Sequence, residues 1–149
     1  MNDQLYMREA LALARTAAEQ GEIPVGAVVV KDGDIIGRGY NLRESEGRAT
    51  AHAEVLAIED ACRHLGSWRL SGCTLYVTME PCPMCAGALI NSRIDKVVFG
   101  CYDAVAGCLG SVIDLCRYPF NHAFVTVGGV CEAEAADLVR DFFEARRKK

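Results

Sequence analysis

Two short segments of this chain place metal-binding and proton-transfer groups at the starts of predicted helices. The first is Ala51-His52-Ala53-Glu54, and the second is Glu80-Pro81-Cys82-Pro83-Met84-Cys85. Cys82 and Cys85 are three residues apart, so their sulfurs point the same way on one helical turn. Pro83 suits the first turn, where no amide donor is needed, and the positive end of the helix favours thiolate over thiol.

Two thiolates and one imidazole are three ligands of the kinds that zinc prefers, and three protein ligands leave one tetrahedral position for water. We therefore predict one Zn²⁺ per chain, held by His52, Cys82 and Cys85. Glu54 is the predicted catalytic group, because a carboxylate near the activated water can take its proton and pass it to a substrate. Helical residues two apart point about 200° from each other, so His52 and Glu54 converge only if His52 lies in the helix cap.

Other chemistry fits parts of this pattern. A C-x-x-C pair that follows a strand at a helix start also describes the active site of a dithiol oxidoreductase of the thioredoxin type. A structural zinc site is a third interpretation, which needs a fourth ligand such as Cys73 or Cys101 and gives Glu54 no function. From the residue types and spacing alone, the catalytic zinc site, the dithiol site and the structural zinc site are all open interpretations.

The elements that position these segments are those of an α/β sheet. Apolar residues three and four apart predict a helix over 3–20, and Asp32-Gly33 between two β-branched runs predicts a hairpin of strands 25–30 and 35–40. A polar loop over 41–51 leads to a helix over 52–65. The later predictions are a strand over 74–78, a helix over 83–90, strands over 96–99 and 124–127, and a helix over 132–147. Region 101–122 is less regular, with a short helix over 112–115. This order predicts helices on both faces of a sheet that is antiparallel at the hairpin.

Length and composition limit the class of protein. The chain has 149 residues, of which 51% are apolar, so we expect one domain over 1–149 with a core that needs no disulfides. No run approaches the roughly 18 apolar residues of a membrane span, and the start MNDQLYMRE is polar, which predicts a soluble cytoplasmic protein. Six cysteines lie in or beside apolar stretches and are expected to be reduced, buried thiols: Cys62, Cys73, Cys101, Cys108, Cys116 and Cys131.

The charge distribution restricts nucleic-acid binding. The net charge is −4, and the four basic residues 146–149 form a tail on a more acidic body. A sequence-independent nucleic-acid binder would present a broadly basic face, so any RNA contact is expected to be local. A solvated tail is the simpler interpretation of the basic run.

Taken with the rest of the chain, these segments resemble the bacterial tRNA-specific adenosine deaminases of the cytidine deaminase superfamily. The more specific motifs are Thr50-Ala51-His52-Ala53-Glu54, Met84-Cys85-Ala86-Gly87-Ala88 and the Phe-Phe-x-x-Arg-Arg ending over 142–147. The resemblance implies a three-layer α/β fold with a mixed five-stranded sheet between helices. It also implies a homodimer without organic cofactor or membrane partner, which hydrolyses the wobble adenosine of a tRNA anticodon loop to inosine.

The resemblance further implies roles around the target base. Asn41 matches the family residue whose amide contacts that base, although a turn asparagine at a strand end is the simpler interpretation from the residues alone. Val25 and Ala27 would form an apolar pocket wall.

More distant RNA contacts are implied by the same resemblance. Asp103 and Asn121 match family positions near the RNA groove, although either residue could cap a turn. Neighbouring helical residues point about 100° apart, so one of Phe142 and Phe143 must face the core. We favour Phe143 as the residue that stacks on a loop base.

Two departures from the family pattern leave the substrate open. Val105 stands where a lysine is frequent, two residues after Asp103, and Ala123 stands where an arginine is frequent after His122. Both remove positive charge, but neither touches the metal ligands. A free-base or nucleoside deaminase acting on guanine or cytosine is therefore the alternative within the same chemistry. A non-catalytic RNA-binding module that holds zinc is the alternative from another class.

Overall fold

The computed structural model describes residues 2–147, which form a five-stranded mixed sheet with helices on both faces. The helices are α1 (Asp3–Glu19), α2 (Arg43–Glu46), α3 (Ala53–Leu65), α4 (Pro83–Asn91) and α5 (Glu132–Arg147). The strands are β1 (Gly26–Lys31), β2 (Asp34–Tyr40), β3 (Cys73–Met79), β4 (Lys96–Cys101) and β5 (Val125–Val127). The predicted three-layer α/β fold is confirmed. Of the basic tail, Lys148 and Lys149 lie outside the described residues.

The sheet has the strand order β2-β1-β3-β4-β5. Strand β1 is antiparallel to β2 and β3, whereas β4 is parallel to β3 and β5. Asp32 (φ 51°) and Gly33 (φ 81°) form the predicted hairpin turn with left-handed backbone. Because β3 and β4 are parallel, α4 must cross back over the sheet, and its N-terminus lies where β3 ends.

Alternate side chains of the central strands enter two separate apolar layers. Val28 and Tyr76 pack in the layer that contains residues of α1 and α5, whereas Val29 and Leu75 pack in the layer that contains residues of α3 and α4. A strand that is buried on both faces has a nearly continuous apolar sequence, as β1 and β3 do. The two helices that carry the predicted metal ligands are therefore fixed by one apolar layer. None of the described helices is long and apolar enough to cross a membrane.

Two segments differ from the sequence predictions. The predicted polar loop over 41–51 contains the one-turn helix α2, and the helix predicted over 112–115 is replaced by a 3₁₀ turn at Leu115–Arg117. A distant carboxylate holds the first region, because Glu22 accepts hydrogen bonds from α2, and bonds between residues so far apart in sequence leave no local pattern. The second region is held locally: the Asp114 side chain accepts from the Cys116 backbone N–H and begins the 3₁₀ turn at Leu115.

The cysteines are all free thiols. Cys73, Cys101 and Cys108 are buried, as expected. Cys62, Cys116 and Cys131 are only half-buried, because they lie at the edges of the apolar layers rather than inside them.

Candidate active site

The N-termini of α3 and α4 meet at one end of the sheet and bring the predicted metal ligands together. His52 is the N-cap of α3, with extended backbone (φ −80°, ψ 151°). Cys82 is the N-cap of α4 and is followed by Pro83 in the first turn. The cap position of His52 is the one that its convergence with Glu54 requires. Pro83 likewise occupies the position for which its missing N–H suits it.

The geometry of the three ligands fits a zinc ion. His52 Nδ1 is 3.6 Å from Cys82 Sγ and 3.5 Å from Cys85 Sγ, and all three ligand atoms lie within 4.8 Å of one another. Tetrahedral zinc, with bonds of about 2.3 Å to sulfur and about 2.0 Å to nitrogen, separates sulfur and nitrogen by about 3.5 Å. No fourth His, Cys, Asp or Glu joins this cluster within residues 2–147. The arrangement therefore fits a three-ligand site better than a structural site completed by another cysteine.

The two thiols differ in their affinity for a proton. A hydrogen bond from Cys85 lowers the pKa of Cys82 to about 4, and the contact with His52 acts in the same direction. The same bond, together with burial, raises the pKa of Cys85 well above its usual value. The hydrogen bond with Cys82 also raises the pKa of His52. Cys82 is therefore a thiolate at neutral pH, the form in which cysteine binds metals.

Glu54 lies in the first turn of α3 beside these ligands, with only 4% of its surface exposed. Burial raises the pKa of Glu54 to about 7, and the charge of Cys82 adds to the effect. A hydrogen bond with the Cys85 thiol acts in the opposite direction. A carboxyl group with this pKa can both accept and release a proton near neutral pH.

A cavity of about 410 Å³ opens directly above this cluster. Its floor contains His52, Ala53, Glu54 and Cys82. One wall, which we call the α2 wall, consists of Ile23, Val25, Asn41 and Arg43. The opposite wall, which we call the loop wall, consists of Met79, Glu80, Asp103, Val105 and Ala106, and Phe143 of α5 also lines the cavity. The volume falls within the roughly 300–1,000 Å³ of typical small-molecule sites, which is enough for one base.

Comparison with known proteins identifies this arrangement. Residues 1–101 match the family model of the cytidine and deoxycytidylate deaminase zinc-binding region. The chain belongs to this deaminase family. The matched residues include all three predicted metal ligands and Glu54.

Within the deaminase family, tRNA-specific adenosine deaminases are similar over almost the whole chain. The tRNA-specific adenosine deaminase of Bacillus subtilis (strain 168) is 53% identical over 148 residues, which cover 99% of this chain and 92% of that protein. The tRNA-specific adenosine deaminase of Haemophilus influenzae is 44% identical and covers 99% of this chain and 86% of that protein.

Solved structures of deaminases agree with the sequence comparison. A structure from a study of A-to-I editing by tRNA:A34 deaminases matches with a TM-score of 0.86 and 41% identity, covering 89% of this chain and 97% of that one. The guanine deaminase of Bacillus subtilis matches with a TM-score of 0.65 and 43% identity, covering 68% of this chain and 66% of that one. The similarity to the tRNA deaminase thus extends over more of the chain.

The deaminase cavity contains four of the six substrate residues expected from the resemblance. Val25, Asn41, Asp103 and Phe143 line it. Phe143 is exposed and lines the cavity, and Phe142 is half-buried against Phe143 and Arg146. Neither ring is part of an apolar layer, so the prediction that one of them faces the core is wrong. Val105, at the position where the family often has lysine, lies on the loop wall and is 89% exposed.

Ala27 and Asn121 do not line the cavity. For Ala27 this corrects the expected pocket wall, whereas the expected place of Asn121 near the RNA groove stays a prediction. Ala27 is fully buried in the apolar layer that contains Ala53. Because β1 runs away from the cavity, only Val25, just before the strand, reaches the opening. Asn121 is exposed in the loop before β5, next to His122, whose Nε2 is 2.7 Å from the Ile94 carbonyl oxygen. That contact lies where β4 begins, whereas the cavity lies where β3 and β4 end.

Three residues of the site were not predicted from the sequence. Arg43 is the only lysine or arginine among the described residues that line the cavity. Glu22 and Glu80 are buried and hold the two walls. Burial by itself raises the pKa of each carboxyl group, but hydrogen bonds from Ser45 and from Ser111, respectively, outweigh it and lower the pKa. Of these three residues, only Glu80 has a signal in the sequence, because it precedes the Pro-Cys pair of the deaminase motif.

Proposed function

We propose that this protein is a hydrolytic deaminase that converts the wobble adenosine of a tRNA anticodon loop to inosine and releases ammonia. The observation that carries the proposal is the buried carboxyl of Glu54 beside a three-ligand cluster on the floor of a base-sized cavity. Similarity over 99% of the chain to a tRNA-specific adenosine deaminase supports the choice of substrate. One deaminase domain then accounts for residues 1–149.

The cofactor in this proposal is one Zn²⁺, held by His52, Cys82 and Cys85. Such an ion supplies a Lewis acid that lowers the pKa of a water molecule to about 7. The dithiol oxidoreductase alternative is less well supported, because His52 lies within 3.6 Å of both sulfurs and the chain belongs to a zinc-binding family.

Glu54 moves the protons of the reaction. Its carboxylate accepts one proton from the attacking water and delivers it to N1 of adenine, which makes C6 a better electrophile. The second proton of the water passes through the same carboxyl group to the exocyclic nitrogen, which leaves as ammonia. The products, inosine and ammonia, balance adenosine and water. A pKa of about 7 suits a group that must both accept and donate.

The walls of the cavity bind and orient the base. A stacked or paired base cannot reach a buried site, so the substrate is a loop nucleotide that swings outward. The Asn41 Nδ2 group donates to the Ile23 carbonyl oxygen at 3.3 Å, and Oδ1 accepts from the Arg43 backbone N–H at 3.1 Å. These bonds fix the amide and leave one Nδ2 hydrogen for an acceptor on the base. Phe143 offers an exposed ring at the cavity for stacking with a loop base.

The proposal is tested with an anticodon stem-loop RNA that carries adenosine at the wobble position. The wild-type protein should form inosine and one ammonia per inosine, whereas Glu54→Gln, with similar size, should lower the rate by about 10²–10⁴-fold. A stem-loop with guanosine at that position is the substrate control, and zinc is counted in every sample. Ammonia from free guanine or cytosine, without inosine in RNA, would instead support the small-molecule deaminase. If the wild type and Glu54→Gln both bound zinc, bound the RNA with equal affinity and formed no inosine, the result would support the RNA-binding module.

A homodimer is the proposed assembly, and the exposed face of α4 is the surface that fits it. Beside the small residues Gly87 and Ala88, a groove continues to Leu115 and to the half-exposed ring of Phe120. An apolar surface of this kind suits a two-fold interface, in which the same surface of both copies meets. A tRNA substrate further implies that the protein works in the cytoplasm.

Light scattering tests the assembly. The wild-type protein should have twice the chain mass, and Phe120→Asp should shift it toward the monomer without loss of zinc. Leu5→Asp, which replaces an exposed apolar residue of α1 on the other face of the sheet, is the charge-matched control. A monomeric wild-type protein at micromolar concentration would contradict the proposed dimer.

A further inference from the structure

Glu80 anchors the loop wall of the cavity. Only 3% of its surface is exposed. Its Oε1 atom accepts from the Asp103 backbone N–H at 3.0 Å, and its Oε2 atom accepts from the backbone N–H groups of Leu109 and Ser111, each at 3.0 Å. The Ser111 hydroxyl also donates to Oε1. One carboxylate thus holds both ends of the segment 103–111.

The loop closes tightly around this carboxylate. Gly107 lies against it, and a Cβ at this position would clash with Glu80 Oε1. Asp103 Oδ1 accepts from the backbone N–H groups of Val105 and Ala106, at 3.0 and 3.1 Å. The turn formed by these bonds presents Asp103, Val105 and Ala106 to the cavity. The conformation of the loop wall therefore depends on Glu80.

Glu22 anchors the α2 wall in the same way. Only 1% of its surface is exposed. Its Oε1 atom accepts from the Glu44 backbone N–H at 3.1 Å, and its Oε2 atom accepts from the Ser45 backbone N–H at 2.6 Å and the Ser45 hydroxyl at 2.5 Å. These bonds hold α2, the one-turn helix that begins with Arg43, at the cavity.

The parts of these segments that face the cavity have little packing of their own. No residue of α2 is buried, and Ala104 and Val105 are exposed, although Cys108 and Leu109 later in the loop are buried in the apolar layer of α3 and α4. Burial of a carboxylate is costly unless hydrogen bonds compensate it, so each anchor commits a buried charge to fixing a segment that lines the cavity. What the two segments share is that each contributes side chains to the same cavity.

We propose that Glu22 and Glu80 are positioning residues. The two glutamates hold the two opposite walls of the cavity in the arrangement that admits the flipped-out nucleotide of the RNA substrate. This inference rests on the proposed function. The two glutamates act through the backbone of the walls: Glu22 sets the place of Arg43, and Glu80 sets the place of Asp103 and Val105.

Glu22→Gln and Glu80→Gln test the inference. Glutamine keeps the size but has one acceptor oxygen, and its NH₂ group faces a backbone N–H donor, so at least one anchor bond is lost. Since hydrogen bonds to charged groups are the stronger ones, we expect the Kd and KM for the stem-loop RNA to rise about tenfold or more. The rise in KM should exceed any fall in kcat, and the zinc content should stay at one per chain.

Asp95→Asn is the matched control. Asp95 also accepts a backbone N–H with its carboxylate, from Gly72 at 3.0 Å, but where β3 and β4 begin and far from the cavity. This variant should keep the wild-type KM and RNA affinity. Ser111→Ala, which removes one donor to Glu80 and leaves the carboxylate intact, should give a smaller rise in KM. If Glu80→Gln does not fold, Ser111→Ala still tests the role of Glu80 in RNA binding.

Hydrogen exchange shows whether each anchor acts on its own wall. Glu80→Gln should speed exchange at the amides of Leu109 and Ser111, and Glu22→Gln at those of Glu44 and Ser45, with the opposite wall unchanged. Faster exchange with unchanged KM and Kd would overturn the inference, as would an equal rise in KM for Asp95→Asn. Failure of the proposed function is seen separately, as wild-type protein that binds the RNA without forming inosine. Wild-type protein that does not bind the RNA overturns both.

Discussion

Three glutamates are buried among the described residues, and their surroundings give them different tasks. Burial dominates at Glu54 and raises its pKa to about 7. Several N–H and O–H donors surround the carboxylates of Glu22 and Glu80, and they lower the pKa of both groups despite burial. Hydrogen bonds to the charged form favour that form, whereas desolvation disfavours it. Glu54 can therefore exchange protons at neutral pH, while the two anchors remain ionised.

The lowered pKa of Glu22 predicts an acid-dependent contribution to folding. A carboxyl group with a pKa below its ordinary 4.5 stabilises the native state above that pH, and this stability is lost as the pH falls toward the folded value. We expect Glu22→Gln to be less stable than the wild type at pH 7, by about 1–3 kcal/mol. The difference should shrink below pH 4.5.

Urea unfolding from pH 7 to pH 3 measures this difference. Both proteins carry the same metal ligands, so acid effects on those ligands cancel in the comparison. Glu59→Gln, an exposed change on α3, should leave the stability unchanged at every pH. A difference between Glu22→Gln and the wild type that is constant with pH would show that the charge of Glu22 does not contribute.

At the residue scale, the sequence predicts those functional groups whose positions follow from local structure. His52, Glu54, Cys82 and Cys85 were identified because each lies within the first turn or cap of its helix, where spacing alone sets the direction of the side chain. Glu22 was not identified, because its donors are 22 and 23 residues away. No local rule connects such residues.

At the element scale, α3 carries the catalytic floor and packs unusually close to β2. A Cβ at Gly39 would lie 2.7 Å from the Ala57 backbone nitrogen, and a Cβ at Gly37 would lie 2.8 Å from the Ala61 backbone nitrogen. Glycines at alternate positions of β2 thus form a flat surface for the helix. This contact sets the distance of His52 and Glu54 from the sheet, while α4 carries the cysteines independently.

Gly39→Ala should separate the metal ligands. The added methyl group meets helix backbone, which cannot yield as a flexible side chain would, so α3 must move. We expect a loss of about 1–3 kcal/mol in unfolding free energy. Zinc affinity should fall as well, because His52 moves relative to Cys82 and Cys85. Urea unfolding and competition with a colorimetric zinc chelator measure the two effects.

Arg38→Ala is the control for this substitution. Arg38 is the neighbouring residue of β2, and its side chain is exposed. The Arg38→Ala variant should bind zinc with the affinity of the wild type. If Gly39→Ala lost stability but bound zinc as tightly as the wild type, the α3–β2 contact would not determine the position of His52.

Elements with local signals were predicted, and elements defined by distant contacts were not. The hairpin has its Asp32-Gly33 turn, and the helix that ends at Leu65 has the left-handed Gly66 after it. Helix α2 is held by the buried anchor Glu22, so its backbone conformation follows from tertiary hydrogen bonds that propensity and periodicity do not reveal. The 3₁₀ turn at Leu115–Arg117 is capped by Asp114, and the apolar spacing over 112–115 does not indicate that cap.

At the scale of the whole molecule, the charge distribution is consistent with local RNA recognition. The net charge is −4, yet Arg43 places a positive group at the cavity, on the same wall as the neutral residues Asn41 and Val25. Val105 on the opposite wall supplies no charge. Under the proposed function, RNA binding in this arrangement would depend on shape, stacking and few phosphate contacts, because the net charge of the chain is negative.

The helices that carry the metal ligands are packed in the apolar core, so we expect the fold to form without the metal. Two apolar layers bury both faces of the sheet, and residues of α3 and α4 such as Ala57 and Leu89 are fully buried in one of them. Hydrophobic burial on this scale is the main favourable term in folding. The three ligands are the cap and first-turn residues of helices that the core already fixes.

Removal of zinc should therefore abolish activity but not the fold. A ligand that binds only the native state stabilises it by RT ln(1 + [L]/Kd), so chelation should lower the Tm while the far-UV circular dichroism at 25 °C stays unchanged. Added Zn²⁺ should restore both the Tm and inosine formation. Glu54→Gln, which keeps all three ligands, should show the same change in Tm on chelation. Loss of the far-UV signal on chelation would mean that the metal holds α3 and α4 in place, and that the apolar layers alone do not.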